Sequence, residues 1–263
     1  MSKTQFLTAG FLSLLRQYIT LDVIDTINKS RTWNIRNPHP ITTLPFHEQI
    51  VFSISVCIGI LLSITLPYTV TSCLAVCLGS HPSSWPPMFN APFTSTSLVD
   101  FWTRRWHAIF RHVFGRLSTA ILYVLPIPNY KPLNHKARTI RAIVIFGLSG
   151  YLHIMLMHRV INMGHPRTFL DPSILKFFLL QPMGLVMETL VVVPLCDATF
   201  GVRWRNTITR AWTWMFMLFL GRYWSDVWVS SGLWDENEKV VGISLIRGII
   251  KGQWITYIKL ELI

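Results

Sequence analysis

Two histidines stand out as candidates for acid–base chemistry, because the residues around each would place it at or inside a membrane. His153 lies in the apolar stretch 142–157, and His107 lies in a dense run of aromatic and basic residues, 97–111. An ionisable side chain inside a membrane helix is energetically unfavourable, so a functional role is the first hypothesis for it. A neutral imidazole is the form that a general base requires. The two imidazoles together suggest chemistry at a membrane interface.

Each histidine also has a structural interpretation that the sequence leaves open. His153 could be a packing residue that bonds a neighbouring backbone group or Ser149, one turn earlier, where Gly147 and Gly150 permit close helix approach. The run around His107 has the Trp and Arg content of a helix that anchors a protein at the membrane interface.

The composition is that of an all-α, polytopic integral membrane protein. Charged residues make up 14% of the 263-residue chain and hydrophobic residues 51%, whereas soluble domains carry about 25% charged residues. The stretch 51–80 has no charged residue, and about 20 apolar residues suffice to cross a bilayer. We predict about five transmembrane helices, near 6–27, 51–78, 142–162, 177–196 and 211–234, the first of which could instead lie in the interface. Segment 117–125 is too short to span and is predicted to be re-entrant or interfacial.

The net charge of +12 is explained by the loops between the spans and not by a nucleic-acid partner. Eight Lys and Arg residues lie between positions 80 and 141, against Asp100 alone, and the loop 197–210 is also basic. Cytosolic loops of membrane proteins carry such an excess of positive charge. We therefore expect loops 80–141 and 197–210 to face the cytosol.

A helix is predicted to begin at Ser97, as its N-cap, and to run to about Val113. On it Arg104, His107 and Arg111 would share one face, with spacings of three and four residues. Guanidinium groups bind phosphate in a bidentate manner, so a clamp for a phosphorylated ligand is the functional alternative to an interfacial anchor.

The remaining polar and sulfur-containing residues inside the apolar segments have structural explanations. Glu188 could bond a partner helix or line a polar cavity near His153, and Gln181 lies seven residues earlier on the same face. The four cysteines lie in or beside apolar spans without converging soft ligands, so we expect core residues and no metal site.

Four sequence blocks occur in an order that resembles a known family. They are Trp85-Pro-Pro-Met-Phe-Asn90, the segment 97–107, the segment 148–153 and the segment 177–181. In this order they resemble the wax synthase-like branch of the membrane-bound O-acyltransferases, and most of all its fungal members in terpenoid and meroterpenoid biosynthesis. The resemblance covers about 83–230, the predicted acyltransferase region within a single membrane domain, 1–263.

The resemblance implies transfer of an acyl group from acyl-CoA to an alcohol in the endoplasmic reticulum membrane. His153 matches the catalytic histidine of the family, and His107 matches the second active-site position. Arg104 and Arg105 match an arginine pair, and we expect these two with Arg111 to contact CoA. Acetyl-CoA or another acyl-CoA would be a co-substrate, with no permanently bound cofactor. The partners would be acyl-CoA, a lipophilic alcohol and the bilayer.

Among acyltransfer reactions, the resemblance favours O-acetylation of a hydroxylated terpenoid, with long-chain wax ester synthesis as the alternative. Two non-catalytic alternatives also stay open. One is a membrane transporter that uses Glu188 and His153 as a proton relay. The other is a shortened, inactive relative, because members of this branch usually have further helices before the position equivalent to residue 1.

Overall fold

The span predicted at 51–78 forms the longest described helix, Phe46–Cys77, which begins five residues earlier than predicted and ends one residue earlier. A computed structural model describes residues 1–30, 40–106, 111–124, 135–161, 171–230, 233–234 and 240–255. Regular structure within these ranges is helical, with one isolated β-bridge between Ile243 and Ile255.

The described ranges contain nine α-helices, and several of them adjoin 3₁₀-helical or π-helical turns. They are α1 Lys3–Lys29, α2 Phe46–Cys77, α3 Leu98–Asp100, α4 Arg111–Val124, α5 His135–Ile161, α6 Pro172–Met187, α7 Val193–Thr199, α8 Arg205–Val229 and α9 Leu245–Lys251. A π-helical turn, Phe101–Arg105, follows α3, and another, Glu188–Val192, joins α6 to α7 in one continuous helix.

The prediction of an all-α membrane protein is confirmed. Three helical segments within the described ranges are long and apolar enough to cross a bilayer: Phe46–Cys77, Ala137–Arg159 and Pro172–Thr199. The two other predicted spans correspond to α1 and α8, of 27 and 25 residues. At 1.5 Å per residue both are longer than the roughly 30 Å hydrocarbon core, but their sequences are less apolar.

The described chain divides into two compact units, residues 1–86 with 228–263, and residues 87–227. In the first unit, α1 packs antiparallel against α2. The Lys3 ammonium donates to the Cys77 carbonyl at 3.1 Å, and the Gln17 amide donates to the Thr69 hydroxyl at 3.2 Å. The contact is closest at Gly10, where an added Cβ would lie 2.4 Å from Cys73 Sγ.

Buried charges join α1 to α9 in this first unit. Asp25 is fully buried, and its carboxylate accepts from the Arg247 guanidinium at 2.5 Å. The Asp22 carboxylate accepts from the Ser244 hydroxyl at 2.5 Å and from the Ile246 backbone N–H at 2.9 Å. Helix α9 begins at Leu245, where Ser244 caps it while bonded to Asp22.

In the second unit, α5 packs against α6, and α6 packs against α8. At each contact a glycine of one helix faces an aromatic ring of the other. An added Cβ at Gly150 would lie 3.1 Å from Phe178, and one at Gly184 would lie 2.3 Å from the Phe216 ring. Each glycine thus allows a neighbouring aromatic ring to approach the backbone of its helix.

Glu188 connects the α6–α7 helix to the short helix α3. Its carboxylate is buried and accepts from the backbone N–H of Leu98 at 2.6 Å and of Val99 at 3.2 Å. The first N–H groups of a helix have no partner within the helix, and an anionic acceptor suits both them and the helix dipole. Of the two alternatives for Glu188, the bond to a partner helix is the one found.

The helix predicted from Ser97 to Val113 is not continuous, because it is interrupted at Trp106. Ser97 caps α3 as expected, since its hydroxyl accepts from the Asp100 N–H at 2.9 Å. After the π-helical turn, however, Trp106 is extended, with φ −82° and ψ 131°. Its ring stacks on Phe101 with the ring centroids 5.3 Å apart. Aromatic packing thus interrupts the helix at Trp106, so Arg104 and Arg111 do not lie on one continuous helix. His107 lies outside the described residues.

Replacing Arg247 with Met would leave the buried Asp25 carboxylate without its closest cation. Lys29 stays 3.2 Å from the other oxygen of Asp25. We therefore expect a loss in the free energy of unfolding below the about 3–5 kcal/mol that an unpaired buried charge costs. Thermal unfolding of the purified protein in detergent measures it. Arg16→Met removes an exposed guanidinium of α1 as the control and should change stability by less than about 0.5 kcal/mol. Equal unfolding midpoints for the two variants would contradict a structural role for the Arg247–Asp25 pair.

Replacing Glu188 with Ala would leave the N–H groups of Leu98 and Val99 without their acceptor. An unpaired buried donor costs about 1–3 kcal/mol, so Glu188→Ala should be clearly destabilised. Glu188→Gln keeps a carbonyl acceptor and should lose less. Thermal unfolding, together with limited proteolysis of segment 97–106, measures the effect, with Leu190→Ala, 59% exposed on the next turn, as control. Protection of this segment in Glu188→Ala equal to that in the wild type would show that the carboxylate does not position α3.

Candidate active site

Two of the sequence blocks fold directly onto each other. The Asn90 N–H donates to the Arg105 carbonyl at 3.0 Å, and the Phe89 ring meets the Trp106 ring edge-on with the centroids 5.1 Å apart. The block that ends at Asn90 therefore packs against the end of the π-helical turn, and the two blocks form one local structure.

Asp100 and Arg105 hold this local structure together. The Arg105 Nε donates to the Asp100 carboxylate at 2.6 Å, and its Nη1 donates to the Ala91 carbonyl at 3.2 Å and to the Thr94 hydroxyl. Burial alone would raise the pKa of Asp100. Hydrogen bonds from Arg105 and the Thr96 N–H, with the charges of Arg105 and Arg104, outweigh burial and lower that pKa. The carboxylate is therefore ionised at neutral pH.

Trp102 connects the π-helical turn to α5 and α6. Its indole N–H donates to the Gln181 side-chain oxygen at 3.0 Å, and its ring meets Phe146 edge-on with the centroids 5.1 Å apart. This bond orients the fully buried Gln181 amide, and its Nε2 has no hydrogen-bond partner among the described residues. A buried donor without a partner is energetically costly, so the amide is a candidate to bond a substrate oxygen.

His153 lies on α5, and a backbone carbonyl of the same helix contacts one of its ring nitrogens. The Nδ1 atom lies 2.6 Å from the Ser149 backbone carbonyl. A carbonyl oxygen can only accept, so in the neutral imidazole Nδ1 carries the hydrogen and Nε2 carries the lone pair. A hydrogen bond at one ring nitrogen sets the role of the other in this way. The packing bond that the sequence left open as one alternative for His153 is therefore present, and it does not involve Nε2.

Aromatic rings from two other helices surround the imidazole. The ring centroid of His153 lies 4.6 Å from that of Phe178 on α6 and 5.2 Å from that of Trp224 on α8. Phe177 stacks on the far side of Trp224, with the centroids 5.8 Å apart. These rings restrict the orientation of the imidazole and keep water from much of its surface.

The predicted site residues are only partly described. His107 lies outside the described residues, and so does the side chain of Arg111. Arg104 is exposed on the π-helical turn, while Arg105 is engaged with the loop that precedes α3. The contacts of these residues with CoA stay a prediction.

Trp224 was not singled out by the sequence, although it contacts His153. The signal that could have identified it is a buried stripe on α8 at helical spacing: Phe216, Leu220, Trp224 and Val227. Within the described ranges, no group of three or more His, Cys, Asp and Glu side chains could hold a metal ion.

Comparison with known proteins agrees with the four sequence blocks. Residues 85–180 match the model of the membrane bound O-acyl transferase family. The chain is 30% identical over 162 residues to the acetyltransferase ataH of Aspergillus terreus, covering 59% of this chain and 50% of that protein. It is 22% identical over 254 residues to the acetyltransferase eriL of Hericium erinaceus, covering 95% of this chain and 63% of that protein.

A plant protein is also similar. The chain is 27% identical over 168 residues to a probable long-chain-alcohol O-fatty-acyltransferase of Arabidopsis thaliana, covering 61% of this chain and 46% of that protein. The chain thus spans about half to two thirds of the length of these relatives, and no solved structure matches it. The resemblance inferred from the four blocks is confirmed: the chain carries a membrane bound O-acyl transferase region, in residues 85–180.

Proposed function

We propose that this protein is an acyl-CoA-dependent O-acyltransferase of the endoplasmic reticulum membrane, with residues 83–230 as its catalytic region. The observation that carries the proposal is the state of His153 inside the family-matched region. Its Nδ1 lies 2.6 Å from the Ser149 carbonyl, so the neutral imidazole would have its lone pair on Nε2, and Phe178 and Trp224 enclose the ring. A base needs to be neutral and positioned before the substrate arrives.

In the proposed reaction the acceptor alcohol donates its hydroxyl hydrogen to His153 Nε2. The alcohol oxygen attacks the thioester carbonyl, and that proton passes to Nε2. The tetrahedral intermediate then collapses, the carbon–sulfur bond breaks, and the CoA sulfur takes the proton from Nε2. The products are the ester and free CoA, and His153 returns to its neutral form.

Hydrogen-bond donors would stabilise the oxyanion of this intermediate. His107 is proposed to bond either the acceptor or the oxyanion, and the Gln181 amide supplies a buried donor one turn from Phe178 on α6. Preorganised donors of this kind contribute about 10²–10³ each in rate. Neither a metal nor a permanently bound cofactor takes part in the proposed reaction.

The proposed reaction is O-acetylation of a hydroxyl on a terpenoid or meroterpenoid. Two of the relatives carry the name acetyltransferase, and the apolar helices suit an acceptor that enters from the lipid. CoA would arrive from the cytosol beside the basic loop 80–141. Transfer of a fatty acyl group to a long-chain alcohol is the second candidate, because the plant relative carries that name.

The test is acyl transfer from labelled acetyl-CoA and labelled long-chain acyl-CoA in microsomes that contain the full chain. Hydroxylated terpenoids and long-chain alcohols are supplied as acceptors. We expect His153→Ala to lower kcat/KM by about 10²–10⁴, the usual contribution of a positioned base. The acceptor that reacts distinguishes acetylation from wax ester synthesis.

His158→Ala is the matched control, because it removes an exposed imidazole five residues later on the same helix. At equal protein levels it should retain activity within about threefold, a change of less than 1 kcal/mol. Wild-type activity in His153→Ala would contradict the role of the base. No product from folded wild-type protein with any donor and acceptor would favour a non-catalytic relative.

A further inference from the structure

A groove between α4 and α5 has the size and charge of a binding site for a phosphorylated ligand. Its volume is about 780 Å³, and its lining includes His112, Arg116, Thr119, Tyr123 and Arg141. Small-molecule sites in proteins are typically about 300–1,000 Å³. The groove lies outside the aromatic enclosure of His153 and has no part in the reaction steps proposed above.

The arginines of the groove lie in a part of the sequence without acidic residues and take part in no ion pair among the residues that the structure describes. Residues 101–170 include no Asp or Glu, against ten Lys and Arg. The ion pairs between described residues do not include Arg116 or Arg141. Uncompensated guanidinium groups in one concave surface attract an anion and present several donors to it.

Helices α4 and α5 position the side chains that line the groove. Residues 112, 116, 119 and 123 form one stripe of α4 at spacings of four, three and four. The Arg141 guanidinium of α5 donates through Nε to the Ser118 hydroxyl and through Nη2 to the Gly115 carbonyl, both at 3.2 Å. These bonds fix one guanidinium beside the stripe while that of Arg116 stays exposed.

An aromatic ring lies at one end of the stripe. The Tyr123 side chain is 92% exposed, although its helix buries Leu122 and Ser118 on the opposite side. An exposed ring next to cationic groups is the arrangement that binds a nucleotide, because a base stacks on the ring while the cations hold the phosphates.

The distance from the groove to His153 suits a ligand with a long flexible arm. Arg141 and His153 are twelve residues apart on α5, about 18 Å along the helix axis at 1.5 Å per residue. The arm of CoA from its diphosphate to its sulfur has about 15 consecutive bonds. An extended chain covers roughly 3.3–3.6 Å per three bonds, so this arm reaches about 17 Å.

We propose that the groove lined by His112, Arg116, Tyr123 and Arg141 binds a phosphate-bearing ligand, namely the 3′-phosphoadenosine end of acyl-CoA. The assignment to CoA rests on the proposed acyltransferase function, whereas the binding of phosphate rests on the groove itself. The headgroup of an anionic phospholipid has the same phosphate chemistry, and the experiment separates the two ligands.

The test measures equilibrium binding of labelled CoA and 3′-dephospho-CoA to the full-length protein in nanodiscs of phosphatidylcholine. Arg116→Gln should weaken CoA binding about tenfold, the loss of one charge-assisted bond. Arg138→Gln, which removes an exposed arginine of α5 that does not line the groove, should change it less than about twofold. For 3′-dephospho-CoA the wild type and Arg116→Gln should bind almost equally.

Tyr123 supplies a second, independent variant. Tyr123→Phe keeps the ring and should bind CoA like the wild type, whereas Tyr123→Ala should bind about tenfold more weakly, since base stacking is worth about 1–3 kcal/mol. The ring is exposed, so neither change is expected to affect folding, and thermal unfolding verifies this. Equal CoA binding by the two variants would exclude stacking on Tyr123.

The outcomes separate this inference from the proposed function. Wild-type CoA affinity in Arg116→Gln overturns the groove as the CoA site, even if the chain transfers acyl groups. Phosphate-dependent CoA binding that Arg116→Gln weakens supports the groove even if no acyl product forms. If nanodiscs with phosphatidic acid bind more weakly to Arg116→Gln while CoA affinity is unchanged, the ligand is a lipid headgroup and the assignment to CoA is wrong.

Discussion

The carboxylate of Glu188 is the interaction on which the arrangement of the family-matched region depends. Glu188 directly follows the apolar helix α6. Its side chain accepts hydrogen bonds from the first N–H groups of α3, which lies about ninety residues earlier in the chain. In a low-dielectric interior hydrogen bonds are strong and an unpaired partner is costly. The bond therefore fixes where the loop with Trp102 and Arg105 meets α6.

The same helix α6 also shapes the surroundings of His153. Phe178 contacts the imidazole directly, and Gln181, one turn later, accepts from the indole of Trp102. A single rigid helix thus positions the aromatic enclosure, a buried amide donor and the carboxylate that holds α3. Displacement of α6 would affect all three together, because a helix moves as a unit and a packed core does not deform continuously.

The buried acidic side chains and the basic side chains of the groove differ in whether they have partners. The described buried carboxyl groups have partners: Asp100 pairs with Arg105, and Asp25 with Arg247 and Lys29, while Asp22 and Glu188 accept from hydroxyl or backbone N–H groups. An unpaired buried charge would be unfavourable. Arg116 of α4 and Arg141 of α5 take part in no ion pair between described residues, and they line an open groove. This contrast separates charges that stabilise the fold from charges that are available to a ligand.

The sequence by itself determined the class of protein, the long helices, the cap at Ser97 and the family, because hydropathy, capping and short motifs are local properties of the chain. It also identified His153, whose position in an apolar helix is local too. Only the tertiary structure decided that Trp106 interrupts its predicted helix, that Glu188 bonds α3 and that Trp224 encloses the imidazole. The contacts of Glu188 and Trp224 join residues distant in sequence, and the Trp106 ring packs on Phe89 as well as on the nearby Phe101. The packing energy at Trp106 exceeds the small local preference for continuing a helix.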